Sequence, residues 1–428
     1  MKPLLLALLG PLFCILPGTG YAVDFAVSGF GTLGYAVSDQ PFNYQRFIDN
    51  TGTLTRDSLF GVQLDTQFTP QWSTTVQAKV APSIKNDSRW DATLSWAFLS
   101  WRPSNDWLIR AGKLRVPGYL NSENLDVGAT LDLARQPLEV YATSPIVDMT
   151  GASFNKTWGF ENSELSLDGY WGKGKTELRI HVRDGIPGLL AAGANFTPLN
   201  AEGTGLLLTY RPGESVYRVG YHLASVERTD GQEWLEDPNF VALAPGIGYY
   251  NFQPGPGIRS TKSLDFTLFN LGADLDLGQN IRLTTEYARR RSTTGNGGGI
   301  DTDGGYVSLR KRIGKWTPYL YWASLRTESA SLERYQTFNT TTVPAALVGP
   351  AAAVINASQR AGADFYQAFD QVSWAIGTSY ALSSTQKIKT EWVRTRVGVA
   401  SSLVDAPAGG NVSHKSIHVF SLSYSFVF

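Results

Sequence analysis

The side chains most able to do chemistry are sparse in this 428-residue sequence. Its histidines do not complete a zinc-ligand pattern, which would need further Cys or His residues at set spacings, and no GxSxG or HExxH motif occurs. The histidines are His181, His222, His414 and His418. A Ser–His pair across strands, with Ser421 or Ser423 near His222, is the remaining way to build a hydrolase. We therefore predict no catalytic residue, no metal site and no cofactor.

Two glycine-rich stretches match nucleotide-binding patterns. "GFGTLG" (29–34) fits a dinucleotide fingerprint, and "GYWGKGKT" (169–176) fits a phosphate loop. Both mechanisms require a helix directly after the motif, so that its N-terminus faces the phosphate. The residues after the first stretch lack a helical period, and "ELRIHVRD" after the second alternates like a strand. We interpret both stretches as parts of strands.

The composition fits neither a nucleic-acid-binding protein nor a helical membrane protein. Lys plus Arg and Asp plus Glu both number 37, so net charge gives no reason to expect nucleic acid. Charged residues make up 17% of the chain, against roughly 25% in typical soluble domains. Beyond the N-terminus no apolar run reaches the length of about 18 residues that a membrane helix needs.

The N-terminus indicates export. Lys2 precedes an apolar stretch over residues 4–16, and small residues at Gly20 and Ala22 predict a signal peptide over residues 1–22. An N-terminal anchor helix is the alternative, although the apolar run is short for a span. The only cysteine, Cys14, lies inside this segment, so the predicted mature domain, 23–428, has none.

Alternation with a period of two runs almost to the end of the chain. In residues 58–68 apolar side chains alternate with polar or small ones. The stretch "WDATLSWAFLSW" continues this alternation and places Trp96 and Phe98 on its apolar face. The pattern predicts sixteen strands, with 164–183 as one long strand rather than a hairpin. The strands are 24–38, 54–68, 71–82, 90–102, 106–114, 151–159, 164–183, 204–211, 215–227, 262–277, 280–293, 304–313, 316–327, 370–382, 385–398 and 415–428.

The connections alternate between tight turns and long segments, notably 115–150, 184–203, 228–261 and 328–369. This alternation of short and long connections is typical of a transmembrane antiparallel β-barrel with short periplasmic turns and long extracellular loops. A closed barrel also pairs every backbone group in the bilayer. We therefore predict an all-β fold, a single sixteen-stranded barrel; a large secreted β-sandwich or β-helix protein is the alternative.

If the apolar parity of each strand faces lipid, the other parity carries many charges. Charges in a membrane-spanning wall are costly unless they face water or one another, so they predict a wet interior, with some of them in salt bridges. The inward set holds nine Lys or Arg and four Asp or Glu, together with Gln63 and His222. These charged residues are Asp65, Lys79, Arg110, Asp168, Arg218, Arg282, Glu286, Arg290, Arg310, Arg312, Arg326, Lys389 and Glu391.

Residues 115–150 form the candidate pore-constricting loop. The segment combines the acids Glu123, Asp126 and Asp132 with apolar residues such as Leu133 and Val140. Apolar residues would favour a loop packed inside the wall, and acids opposed to basic wall residues would set ion selectivity. An ordinary surface loop is the alternative.

The chain ends on "SLSYSFVF" (421–428), with serines on one face and aromatic or aliphatic side chains on the other. This pattern predicts a last strand that faces lipid with Phe428 and closes the barrel against the first strand. From the signal-peptide pattern through the third long loop to Phe428, the chain resembles the Gram-negative outer-membrane porins.

The resemblance implies a homotrimer, a third loop folded into the barrel, and a terminal strand that the outer-membrane assembly machinery reads at Phe428. It places acids of the constriction at Glu123, Asp126 and Asp132. Its bases, on the wall, would be Lys79, Arg110, Arg282, Arg290 and Lys389, and Glu286 belongs to the same inward set.

The expected function is a water-filled channel in the outer membrane of a Gram-negative bacterium, surrounded by lipid and passing small hydrophilic solutes and ions by passive diffusion. Two alternatives stay open. One is a substrate-selective channel of the same fold, with the basic excess of the inward set favouring anions. The other is an outer-membrane enzyme or adhesin.

Overall fold

The computed structural model describes residues 23–144, 146–255, 257–294 and 298–428. Sixteen antiparallel strands form one closed barrel, in which each strand pairs with its neighbours along the chain and the last pairs with the first. The predicted all-β, sixteen-stranded barrel is confirmed. The signal peptide predicted over residues 1–22 lies outside the described residues.

Barrel strands are numbered here β1–β16 in chain order. They are β1 (Asp24–Ser38), β2 (Leu59–Gln67), β3 (Trp72–Pro82), β4 (Trp90–Trp101), β5 (Trp107–Arg115), β6 (Asp148–Phe160), β7 (Ser163–Val182), β8 (Gly193–Pro212), β9 (Val216–Arg228), β10 (Ser263–Asp276), β11 (Ile281–Ser292), β12 (Thr302–Lys311), β13 (Trp316–Thr327), β14 (Phe369–Ala381), β15 (Gln386–Ser401) and β16 (Ser416–Val427).

Three of the long connections contain secondary structure of their own. Between β9 and β10, Trp234–Leu235 pairs with Ser260–Thr261, and Asn239–Ala244 pairs with Ile247–Asn251. Between β13 and β14 lie three helices. With the short helix inside residues 116–147, the helices are α1 (Leu138–Tyr141), α2 (Ser329–Thr340), α3 (Ala345–Val348) and α4 (Ala351–Phe365), and Gly128–Thr130 and Gly298–Ile300 form 3-10 turns. No helix within the described ranges has the length and apolar character to cross a bilayer.

The predicted long loop at 184–203 is largely strand. β7 and β8 stay paired from Ser163↔Pro212 to Val182↔Gly193, so only residues 183–192 connect them. Pro198 and the small residues around it weaken the alternating pattern, so the sequence did not predict the first half of β8. β7 itself is one strand through Lys173 and Lys175, as predicted.

Side-chain exposure follows the predicted parity on most strands. On β16, Leu422 is 47% exposed on the outer face, whereas Ser421, Ser423 and Ser425 are buried inside. Both nucleotide-like stretches lie within strands, 29–34 in β1 and 169–176 in β7. They therefore lack the strand–helix junction that either motif requires.

The first stretch has a packing role at the seam between β1 and β16. The backbone of Gly29 exchanges two hydrogen bonds with Phe428, of 2.9 and 3.0 Å. A Cβ atom on Gly29 would lie 2.2 Å from the Phe428 ring, and one on Gly31 would lie 2.6 Å from the Phe426 ring. Gly29 and Gly31, two residues apart on β1, thus leave space for the rings of Phe428 and Phe426, which are two residues apart at the end of the chain.

The predicted facing is wrong at three aromatic or basic residues. In β4 an extra residue, Ser95, shifts the register against β3, and a bulge of this kind reverses the parity. Trp96 and Phe98 therefore face inward, and Phe98 is only 8% exposed. Arg326 shares the outer face of β13 with Leu320 and Trp322, so it does not face the lumen as predicted.

Lys156 lies on the outer face of β6, where a charge facing lipid would be costly. Its ammonium group pairs with the Asp106 carboxylate in the turn between β4 and β5. It also lies 5.2 Å from the centre of the Trp107 ring and 5.8 Å from that of Trp158. Aromatic and acidic neighbours at the strand end thus compensate this charge.

Candidate functional site

Residues 116–147 leave β5 and return to β6 after folding into the barrel; we call this segment the inner loop. Its contacts reach several sides of the wall. The Leu120 amide makes a hydrogen bond to a side chain of β11, and the Leu133 carbonyl oxygen makes one to a side chain of β15. Gly128 lies against Thr32 of β1 and Ser425 of β16. The loop therefore divides the lumen, and a wall side chain faces either the loop or open water.

Glu286 and Arg290 of β11 anchor the inner loop. Glu286, 2% exposed, accepts hydrogen bonds of 2.8 Å from the Leu120 amide and from the hydroxyls of Tyr141 and Tyr306. Arg290 donates to the Thr143 carbonyl oxygen at 3.1 Å. A buried carboxylate is tolerated when several donors satisfy it, so Glu286 acts as a docking point for the loop.

A second anchor lies at β15 and β16. The Arg135 guanidinium of the inner loop makes two hydrogen bonds to the Asp57 carboxylate, of 2.7 and 2.8 Å, and a third to the Ser421 hydroxyl at 2.6 Å. Burial alone would raise the pKa of Asp57, but Arg135 outweighs it and holds this pKa below its usual value. Lys389, 2% exposed, donates to the Leu133 carbonyl oxygen at 3.2 Å.

Glu286, Arg290 and Lys389 were predicted to line the pore, and the structure places them differently. All three point inward, but the inner loop covers them, so they hold the loop instead of facing water. Strand alternation reports only whether a residue points inward or outward. It carries no information about which inward residues a loop will cover.

The opposite side of the inner loop carries acids that pair with basic residues of the wall. Asp126 pairs with Lys79 of β3 at 2.7 Å and with Arg115 at the end of β5 at 2.6 Å. Glu123, whose side chain is 64% exposed, lies 3.5 Å from Arg110 of β5. Burial opposes ionisation of Asp126, but Arg115 and Lys79 outweigh it and lower its pKa to about 2. Acids of the loop thus face bases of the wall.

Asp132 and Arg282 lie elsewhere, at the end of the barrel that carries the short turns. Asp132 pairs with Lys387 at 2.8 Å and approaches Arg310 at 3.6 Å, while Arg282 pairs with Asp274 at 2.7 Å. Asp132 and Arg282 both border a cavity of about 780 Å³. The nine predicted residues therefore divide into a group paired between the inner loop and strands β3 and β5, a group at this cavity and a group of loop anchors.

The geometry does not support the proposed Ser–His pair. Both ring nitrogens of His222 are occupied, by the Tyr170 hydroxyl at 2.8 Å and by the Asn270 amide oxygen at 2.9 Å. Ser421 lies on β16, across the barrel from His222 on β9, and its hydroxyl accepts a hydrogen bond from Arg135 of the inner loop. Among the described residues no group of three His, Cys, Asp or Glu side chains is arranged to hold a metal ion.

Comparison with known proteins gives structural matches only; no family model and no curated protein matches the sequence. The outer-membrane protein OmpT of Vibrio cholerae, in a loop-deletion form, superposes with a TM-score of 0.52 at 11% identity, over 95% of this chain and all of that one. The anion-selective porin from Comamonas acidovorans gives 0.51 at 11% identity, over the same shares. The chain has the sixteen-stranded porin fold. At this identity the likeness concerns the fold alone.

In this porin fold an ion-pair network joins loops at the end of the barrel opposite the short turns, and sequence reasoning missed it. Arg179 near the end of β7 pairs with Asp405 of the β15–β16 loop at 2.7 Å and with Asp87 of the β3–β4 loop at 2.9 Å. Arg46 of the β1–β2 loop also pairs with Asp87. The β15–β16 loop lies half a circumference away from β7, so the network crosses the mouth of the barrel.

Loss of Arg179 should loosen these loops without unfolding the barrel. Replacing it with glutamine leaves Asp87 and Asp405 without their shared cation, so we expect cleavage of the extracellular loops by added protease to become several-fold faster. Arg228→Gln is the matched control, because Arg228 pairs with Asp230 inside its own loop at 2.6 Å. Equal cleavage rates for the Arg179 variant and the unmodified protein would contradict this role.

Proposed function

We propose that this protein is an outer-membrane porin, a water-filled channel through which small hydrophilic solutes and ions diffuse passively. The observation that carries the proposal is the juxtaposition of exposed Glu123 and Arg110 beside the Asp126–Lys79 pair, inside a barrel with an apolar outer face. Opposed charges next to water create a transverse field, which is how charged constrictions discriminate among ions.

The constriction in this proposal lies between the inner loop and strands β3 and β5. Asp126 and Glu123 supply the negative side, and Lys79 and Arg110 supply the positive side. Glu286, Arg290 and Lys389 contribute indirectly, because they hold the loop against the far wall. Solutes would pass beside these charge pairs, where Glu123 meets water, and reach the cavity beside Asp132.

A preference for anions is the second candidate, and the lining of that cavity favours it. Five basic side chains border it, against three acidic ones, and Asp132 already pairs with Lys387. An excess of positive charge at a pore entrance raises the local concentration of anions. The bases are Arg282, Arg310, Arg312, Lys315 and Lys387, and the acids are Asp132, Glu214 and Asp276.

The proposal also covers whether the protein is an enzyme and which partners it contacts. We infer a non-enzymatic protein in contact with outer-membrane lipid, because the inward polar groups described above serve packing and charge pairing. One structural match, OmpT of Vibrio cholerae, is described as a trimer form, and we propose a homotrimer here. Phe428 would be the residue read by the outer-membrane assembly machinery.

Conductance tests both the channel and its constriction. Glu123→Gln should shift the permeability ratio toward anions, and Arg110→Gln should shift it toward cations, each by roughly twofold, because each removes one charge beside the water path. Reversal potentials in a planar bilayer under a salt gradient measure the ratio. Lys173→Gln, on the outer face with its side chain 65% exposed, is the control and should leave the ratio unchanged.

Liposome swelling with small sugars tests passive diffusion directly. Absence of solute flux from correctly folded protein would refute the channel. A clear cation preference of the unmodified protein would refute the anion-selective candidate but not the channel. Equal reversal potentials for both constriction variants and the unmodified protein would place the constriction elsewhere.

A further inference from the structure

Five arginines on the outer face of the barrel have no role in the channel. They lie on three alternate strands, β11, β13 and β15, near the ends joined by the extracellular loops. We call this set the basic arc. Its members are Arg289, Arg291, Arg326, Arg394 and Arg396.

The basic arc faces outward and is accessible. Arg326, Arg394 and Arg396 are exposed and share their strand faces with exposed apolar side chains such as Trp322 and Trp392. The Arg289 side chain is 53% exposed and that of Arg291 is 29% exposed. These arginines therefore meet whatever surrounds the barrel, not its lumen.

The protein neutralises only part of this charge. Asp303 of β12 pairs with Arg289 at 2.8 Å and with Arg291 at 2.6 Å. Asp370, on the outer face of β14, accepts a hydrogen bond from the Val399 amide at 2.9 Å. Within the described part of the chain Arg326, Arg394 and Arg396 make no ion pair. Five guanidinium groups against two carboxylates leave a clear positive excess.

The position of the arc relative to the apolar wall restricts its partner. On β13 Trp322 lies four residues before Arg326, and on β15 Trp392 lies two residues before Arg394, on the same strand faces. Trp374 of β14 lies beside Arg394 in register, and the three tryptophans Trp322, Trp374 and Trp392 are 38%, 57% and 42% exposed. An arginine facing lipid is costly at the bilayer midplane and much less so near the interface. Exposed tryptophans next to exposed arginines thus indicate the boundary between acyl chains and headgroups.

The opposite arc of the barrel differs. The outer faces of β7–β10, at the same end, carry two lysines and four acids, and Lys173 pairs with Glu202 at 3.1 Å. These residues are Lys173, Lys175, Glu177, Glu202, Glu227 and Asp265. The positive excess of the basic arc is therefore absent from the outer faces of β7–β10.

We propose that the basic arc binds the phosphate groups of lipids in the extracellular leaflet. The tryptophans would contact the acyl chains of the same lipid while Arg326, Arg394 and Arg396 donate hydrogen bonds to its phosphate oxygens. Arginine suits this role because its planar guanidinium donates two parallel hydrogen bonds to phosphate. The inference rests on the membrane placement in the proposed function.

Lipid retention in native mass spectrometry tests the proposal. The full chain in detergent is given phosphatidic acid or phosphatidylcholine with identical acyl chains. The unmodified protein should retain phosphatidic acid preferentially. The triple variant Arg326→Gln/Arg394→Gln/Arg396→Gln should lose this preference by roughly tenfold or more, since each basic residue near an anionic surface contributes about fivefold. Lys173→Gln/Lys175→Gln is the matched control and should behave like the unmodified protein.

Several outcomes would overturn the proposal. Equal retention of both lipids by the unmodified protein would do so, and so would an unchanged preference in the triple variant. A triple variant with altered subunit number but unchanged lipid preference would assign the arc to a subunit contact instead. If the triple variant does not fold, the single variants replace it, each with an expected loss of about fivefold.

Conductance separates this inference from the proposed function. The triple variant should show the same conductance as the unmodified protein in a bilayer of phosphatidylcholine. A protein that conducts but shows no lipid preference refutes the basic arc alone. A protein that retains phosphatidic acid but does not conduct refutes the channel and leaves the lipid site standing.

Discussion

Replacing Arg135 with alanine is expected to destabilise the barrel by about 3–5 kcal/mol, the usual cost of leaving one member of a buried ion pair without its partner. The Asp57 side chain is only 12% exposed, so water cannot take over the lost interactions. The Ser421 hydroxyl loses its bond to Arg135 as well. The midpoint of thermal or denaturant unfolding in detergent measures the change.

The same variant should also change conduction. Arg135 ties the inner loop to Asp57 and to β16, and without it the middle of the loop loses its link to that side of the wall. We expect a larger single-channel conductance with more current noise. Unchanged conductance and stability would show that Lys389 and the contacts of Glu286 hold the loop on their own.

Two controls make this test specific. Arg211→Ala removes an exposed ion pair with Glu164 whose side chains are 39% and 45% exposed, and pairs of that kind contribute about 0–1 kcal/mol. The double variant Arg135→Gln/Asp57→Asn removes both buried charges. It should recover part of the stability, because no uncompensated carboxylate remains.

Acidification gives a further check on the same pair. The pKa of Asp57 is lower in the folded protein than its usual value. Its stabilising contribution is therefore complete above the usual pKa of an aspartate, about 4, and is lost as the pH falls through the lowered folded value. The unmodified protein should lose this contribution on acidification, and the double variant should not.

Replacing Phe428 with aspartate should reduce the yield of folded barrel strongly, by about tenfold, with little effect on the conductance of the molecules that do assemble. The ring stacks at 6.4 Å on both Phe60 and Phe426 at the outer face. A carboxylate there exchanges this contact for a charge against lipid. The recognition signal proposed for the assembly machinery is lost in the same substitution.

Phe25→Asp is the matched control for this prediction. Phe25 is 59% exposed on the outer face of β1 but pairs only with β2, away from the seam. If both variants lose yield equally, an exposed aromatic at this interface matters more than the seam itself. Normal yield with altered conductance in the Phe428 variant would contradict the prediction outright.

The sequence predicted the barrel well because strand alternation and turn chemistry are local properties. It failed at Phe98, where one inserted residue reverses the facing of the rest of β4, and a bulge leaves no clear mark in the pattern. It failed at Arg326 for a different reason. Near a strand end the outer face meets headgroups instead of acyl chains, so a charge there no longer marks the inner face.

The candidate site was predicted less completely than the fold. The acids of the inner loop are recognisable from composition, and Lys79 and Arg110 follow from parity. The separation of these residues from Glu286 and Lys389 depends on where the loop lies, which is a tertiary property. Arg179 was missed because its partners Asp87 and Asp405 belong to loops far apart in the chain.

The seam makes closure of the barrel depend on the strand that is synthesised last of the sixteen. The hydroxyls of Thr32 and Ser425 meet at 2.9 Å although 393 residues separate them, and Gly29 meets the last residue of the chain. A chain that stops a dozen residues early keeps fifteen strands and leaves two of them with unpaired edges, which no bilayer tolerates. Premature termination before the last strand therefore yields no smaller working barrel.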